Sequence, residues 1–168
     1  MTGQRGAMFI LAGFAGLLLV IALFSGFQGV NRLSGRGDDS VAVEAVARQF
    51  AEAYGTYDYR EPERFRERLL ELTTGVVRAT AANPEPDPVA IGQRRVTTSR
   101  VVSASVSALS VDAAAVSVTV EQVRRSIDPE SAEPVEEHVR QRVNCRLVRE
   151  GDRWLVAEFR LMFEEPVS

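Results

Sequence analysis

The sequence predicts an α+β protein in which one membrane-spanning helix precedes a domain of three helices and a four-stranded antiparallel sheet. Three observations carry this reading. The run from Ala7 to Phe27 contains no charge, residues 40 to 81 repeat apolar positions at helical spacing, and from Arg95 onward apolar and polar residues alternate.

The uncharged run comes first in the chain. At ~1.5 Å of rise per residue it reaches about 30 Å, the thickness of a bilayer's hydrocarbon core. Leu17, Leu18, Leu19, Val20 and Ile21 form its densest block. It exceeds the ~7–15 apolar residues of a cleaved signal, and no small-residue cleavage site follows it. We therefore expect a retained anchor at 7–27, behind a tail at 1–6. A Gly-rich polar linker at 28–39 then leads into a domain at 40–168. Arg32 and Arg36 outweigh Arg5, which argues against export of the domain. So short a tail gives that bias little to act on, and the domain is expected on the extracytoplasmic side.

Asp38, Asp39 or Ser40 offers an N-cap for the first helix, in which Val43, Val46, Ala47, Phe50, Ala53 and Tyr54 share one face up to Gly55. A second helix starts near Pro62 and turns Phe65, Leu69, Leu70 and Leu72 inward. Glu63, Arg64, Glu67, Arg68 and Glu71 form its solvated side. A short third helix is expected from Val76 to Ala81, and the proline-rich stretch from Asn83 to Pro88 as a loop.

The strands are expected at 95–109, 113–126, 137–149 and 153–163. Each has one dry and one wet face, the mark of an antiparallel sheet covered on one side. In the second strand Val116, Val118 and Val120 are dry. In the third, Val139, Val143, Cys145 and Leu147 oppose His138, Arg140, Arg142, Asn144 and Arg146. In the fourth, Leu155, Ala157, Phe159, Leu161 and Phe163 oppose Trp154, Val156, Glu158 and Arg160. Glu150-Gly151-Asp152 closes a tight hairpin.

These residues also resemble a family. Three helices followed by a curved four-stranded sheet resemble the NTF2-like cone fold. Tyr57-Asp58-Tyr59-Arg60, Leu72-Thr73-Thr74-Gly75, the Val116-x-Val118-x-Val120-x-Gln122 strand and the closing Gly151-Asp152-Arg153-Trp154-Leu155-Val156 look like the Mce-associated membrane proteins of actinobacteria. The resemblance implies a single-pass accessory protein of the cell envelope, beside lipid-import machinery. VirB8/TcpC-like components of conjugation and type IV secretion machines share the anchor-plus-cone plan and stand as the alternative. A cone that binds a small ligand is a third reading.

Composition narrows the chemistry. All 20 basic residues are Arg, and the net charge of −3 gives nucleic acid no attractive field. Cys145 and His138 are each single in the chain, so neither an internal disulfide nor a zinc site of sulfur and imidazole is expected, and no cofactor is implied. Fold alone does not decide catalysis. The candidate pocket is Tyr54, Tyr57, Asp58, Tyr59 and Phe159. Its plainer reading is aromatic packing, with Asp58 turning the chain ahead of Pro62. The candidate partner surface is Arg140, Arg142, Arg146, Arg160 and Trp154 on the wet face, Arg and Trp being favoured interface anchors. Cross-strand pairing with Glu121 and Glu158 is the plainer reading there. The expected partners are the membrane, protein subunits of an envelope complex, and a second copy of the chain.

Overall fold

The first helix, α1, is wound over residues 37–55 in the computed structural model, which describes residues 37–83 and 87–167. The tail, the anchor and most of the linker expected from the sequence lie outside the described residues. Among the described residues, no helix is long and apolar enough to cross a membrane. Steps of three and four residues keep Val43, Ala47 and Phe50 on one stripe of α1, and all three are fully buried. Asp38, Asp39 and Ser40 lie within the helix, so none of them caps its start.

Strand β1 (Tyr57–Asp58) follows, then α2 (Pro62–Leu72), α3 (Gly75–Ala82) and α4 (Pro88–Gly92). Proline sits in the first turn of α2, where its missing N–H breaks no helical bond. The left-handed residue at the head of α3 is Gly75, at φ +57°. α4 corrects the expectation of a featureless loop as far as Pro88. The Asp87 side chain accepts from the Val89 and Ala90 N–H groups at 3.0 Å each and starts a helical turn there.

The four long strands are β2 (Val96–Leu109), β3 (Ala113–Ile127), β4 (Pro134–Glu150) and β5 (Arg153–Pro166). The sheet has five strands in the order β1-β2-β3-β4-β5, every neighbour antiparallel. The expected count of four omitted β1, whose two residues are too short to display any alternation. The helices cover the dry face. Val116, Val118, Val120, Val143, Cys145 and Leu147 pack there against Val43, Ala47 and Phe50. Each buried valine, leucine or phenylalanine side chain among them contributes about 1.5–3 kcal/mol.

Two bulges in β5 correct the assignment of faces. Arg146 pairs with Glu158 but Leu147 with Val156, so Ala157 is an extra residue. Arg142 pairs with Phe163 but Val143 with Leu161, which makes Met162 extra as well. Each inserted residue reverses the alternation on its far side. Trp154 and Val156, expected on the wet face, are therefore buried on the dry one. Phe163, expected inside, lies on the wet face, where the Arg142 guanidinium sits 5.0 Å from its ring centre.

The junction between α2 and α3 also joins the sheet. Thr73 forms a parallel bridge with Val156, and the Thr74 N–H donates to the Val156 carbonyl at 3.0 Å. Buried Thr73 donates its hydroxyl back to the Leu69 carbonyl at 2.6 Å. This junction closes the upper part of the β5 edge.

Candidate functional site

The wet face of the sheet is built by register. Across β2, β3, β4 and β5 run four rows: Arg100–Glu121–Arg140–Glu165, Ser103–Thr119–Arg142–Phe163, Ser105–Ser117–Asn144–Arg160 and Ala108–Ala115–Arg146–Glu158. The structure thus brings Arg140, Arg142, Arg146 and Arg160 together on one face, as a partner surface requires. It removes Trp154 from that set. Trp154 is 6% exposed on the opposite face, with Arg149 5.5 Å from its ring centre.

The first row alternates in sign. Glu121 accepts from Arg100 at 2.6 Å and from Arg140 at 2.8 Å, and Arg140 also lies 3.6 Å from Glu165. Arg146 pairs with Glu158 lower on the same face. Hydrogen bonds from Arg140, with a further one from Arg100, hold the Glu121 carboxyl below its ordinary pKa. Arg146 does the same for Glu158. Arg142 makes its contact with the Phe163 ring.

The expected pocket separates into two groups. Tyr54 and Phe159 meet at 4.5 Å between ring centres, and Phe50 lies 5.9 and 5.3 Å from them. Phe50 is fully buried between α1 and β5, Phe159 is half-buried beside it, and Tyr54, 40% exposed, covers the two at the rim. Tyr57 packs edge-on against Phe65 at 5.4 Å, away from that cluster. Asp58 accepts from the backbone and side chain of Arg60, at 2.9 Å to Nε and 2.6 Å to Nη2, and these bonds lower its pKa. Tyr59 lies beneath the same guanidinium, 5.8 Å away. Asp58 is thus a turn residue paired with a cation.

The sequence reading missed a polar cluster on the dry face. Arg124 donates to both Glu164 oxygens, at 3.0 and 2.7 Å, and to the Gln122 carbonyl oxygen at 3.3 and 3.1 Å. Gln141 donates to Glu164 from the other side. Gln122 and Gln141 are both buried. A glutamine on the parity of core valines was the available signal, since buried amides need partners. Two surface hollows flank these groups. One, of about 380 Å³, is lined by Thr98, Arg100, Glu121, Val123 and His138 among others. The other, of about 210 Å³, is lined by Gln93, Arg95, Arg124, Ser126 and Glu137. His138 places Nε2 2.9 Å from a Glu136 oxygen. Among the described residues, no group of three or more His, Cys, Asp or Glu converges as metal ligands.

The depressed carboxyls set a pH dependence. Asp58, Glu121, Glu158 and Glu164 all have folded pKa values below their ordinary ones. Their contribution is therefore complete above the unfolded values of about 4 and is lost as pH falls through the lower folded values. The urea midpoint is expected to stay level from neutrality to about pH 5 and to fall below about pH 4. Arg124→Met removes the main cause of the Glu164 shift and makes that fall shallower. A midpoint that declines already between pH 7 and 5 would contradict this assignment.

No protein-family model matches the sequence, and no curated protein matches it. Solved structures do. An NTF2-like protein involved in plasmid conjugation is similar, at 17% identity over 72% of this chain and 48% of that one, with a TM-score of 0.53. The VirB8 protein of Agrobacterium tumefaciens is similar at 7% identity over 76% of this chain and 92% of that one, with a TM-score of 0.52. A hexachlorocyclohexane dehydrochlorinase is similar at 12% identity over 83% of this chain and 93% of that one, with a TM-score of 0.49. This chain spans about half the length of the conjugation protein. At these identities the likeness is one of fold: the described domain shares the fold of that NTF2-like protein and of VirB8.

Proposed function

We propose that the chain is a non-catalytic scaffold subunit of a membrane-bound translocation assembly of the conjugation or type IV secretion kind. The carrying observation is the occupied interior. Buried Phe50 and half-buried Phe159 occupy the space between α1 and β5 with Tyr54 at the rim, and the carboxylates of Asp58 and Glu164 are tied to Arg60 and Arg124. A general base needs a carboxylate or imidazole free to take a proton beside a bound substrate. The fold's likeness to a plasmid-conjugation protein supports the class of assembly. The association with lipid import expected from the Mce-associated resemblance rests on that sequence resemblance alone and now takes second place.

In this reading the uncharged segment at 7–27 anchors the chain, and the domain stands on the extracytoplasmic side. The domain binds through its surface, and confinement to the membrane plane raises its effective concentration near partners. The test is recovery of tagged full-length protein from gently solubilised membranes, with the bound proteins identified by mass spectrometry. Conjugative ATPase or channel subunits are the expected result. Lipid-import subunits in their place would overturn the secretion reading, and turnover of a small substrate by the purified chain would overturn the non-catalytic one.

A further inference from the structure

We propose that the middle of the wet face binds a polysaccharide carrying carboxylates, through Arg142, Arg160 and the hydroxyl and amide side chains beside them. This binding goes beyond the scaffold reading and is independent of which assembly the chain joins.

Charge points to it first. From the row Val96–Arg125–Glu136 to the row Ala108–Ala115–Arg146–Glu158, the face holds six arginines and four glutamates. It therefore has a surplus of two positive charges, on a chain whose net charge is −3. All four carboxylates lie in rows towards the ends of the face, and arginines of those rows bind them. Glu136 pairs with Arg125, Glu121 with Arg100 and Arg140, Glu165 with Arg140, and Glu158 with Arg146. The surplus sits between them, in the rows Ser103–Thr119–Arg142–Phe163 and Ser105–Ser117–Asn144–Arg160, which contain two arginines and no acid. Arg142 and Arg160 occupy diagonal positions on β4 and β5, with Cβ atoms about 7–8 Å apart. An anion held between the two guanidiniums relieves their repulsion.

The neighbouring side chains decide what carries the anion. Ser103, Ser105 and Asn144 are exposed, and Ser117 and Thr119 are half-buried. Hydroxyls and amides both donate and accept hydrogen bonds. An acidic peptide segment satisfies the arginines, but its carboxylates only accept, and they would set their charge against the lone pairs of these groups. Sugar hydroxyls donate as well as accept, and a carboxylate on the sugar fits the planar arginine fork with two parallel bonds. The shape agrees. Small side chains on β2 and β3 leave a low floor, about 7 Å along the strands and about 10 Å from β2 to β4. Phe163 stands at its β5 end, 37% exposed, with Arg142 5.0 Å from its ring centre. Its ring offers apolar surface to the C–H side of a sugar.

The experiment is electrophoresis of the purified full-length chain, in mild detergent, through native gels cast with polygalacturonate. The polymer should retard the chain, and its fully methyl-esterified form, which keeps the sugar and loses the charge, should not. Arg142→Gln together with Arg160→Gln should raise the dissociation constant about a hundredfold, about tenfold for each charge-assisted contact. Arg125→Gln removes the same charge from the far end of the face, beyond a screening length, and should change it by less than about twofold. Asn144→Leu should weaken binding to polygalacturonate about fivefold and leave any binding to polyglutamate, a peptide polyanion, unchanged. Unshifted emission of buried Trp154 would show that each variant keeps the fold. An unretarded chain, equal retardation by the methyl ester, or polyglutamate bound as tightly as the sugar polymer overturns the proposal. So does a double variant that binds like the parent. None of these outcomes touches the scaffold reading, which stands or falls on the recovered envelope subunits.

Discussion

Phe50→Ala should lower the unfolding free energy by about 3–5 kcal/mol, among the largest effects expected of a single substitution in the described domain. Phe50 is fully buried and packs against two less buried rings, Tyr54 from its own helix and Phe159 from β5. Truncation removes the transfer energy of the ring and leaves a cavity between a helix and a sheet, two elements that cannot close on it without losing the valine contacts around it. Domains of this size are stable by only about 5–15 kcal/mol, so the variant is expected to be partly unfolded at physiological temperature. The chain's single tryptophan is 6% exposed and gives a direct readout. Urea unfolding followed by Trp154 emission should show the midpoint falling steeply. A loss below about 1 kcal/mol would mean that the three rings do not hold α1 to the sheet and that the space between them is not filled.

Gly55→Ala should cost about 1–3 kcal/mol, the range for forcing atoms into a filled space. A Cβ at this position would lie 2.6 Å from the Gln122 amide nitrogen, 2.6 Å from the Ser99 hydroxyl and 2.7 Å from the Ser99 Cβ. The Gln122 amide is itself fixed by Arg124, so the end of α1 would have to lift away from β2 and β3. Gly92→Ala is the matched control. It meets nothing within 4 Å and should be neutral within about 0.5 kcal/mol. Thermal unfolding of the two variants side by side tests the point. Equal melting temperatures would show that α1 approaches the sheet less closely than described.

The long elements were legible because their periods are long. Fourteen or more residues of alternation in each of the four major strands gave boundaries within a few residues of those observed. What escaped was local. β1 and α4 hold two and five residues, one strand repeat and little more than one helical turn, too short for either period to recur. Trp154 and Phe163 were put on the wrong faces because a period-two reading runs straight through a bulge, and neither Ala157 nor Met162 announces itself as inserted. Four arginines of the candidate surface were placed correctly because all lie on one side of a bulge or the other in step with β4. The Arg124–Glu164 pair was invisible for a different reason: it joins residues on strands that are not neighbours, and nothing in either strand's own pattern specifies the partner.

The meeting of Phe159 with Phe50 and Tyr54 has a consequence in time. The first helix and the last strand of the domain supply opposite walls of the same interior. A chain emerging vectorially presents α1 and then three valine-rich strands before the residue that closes them exists. At roughly 5–20 residues per second that interval lasts for seconds, and contacts so distant along the chain form late in any case. The nascent domain therefore waits with its sticky surfaces open, and a stop codon anywhere before β5 yields a client for proteases instead of a smaller working domain.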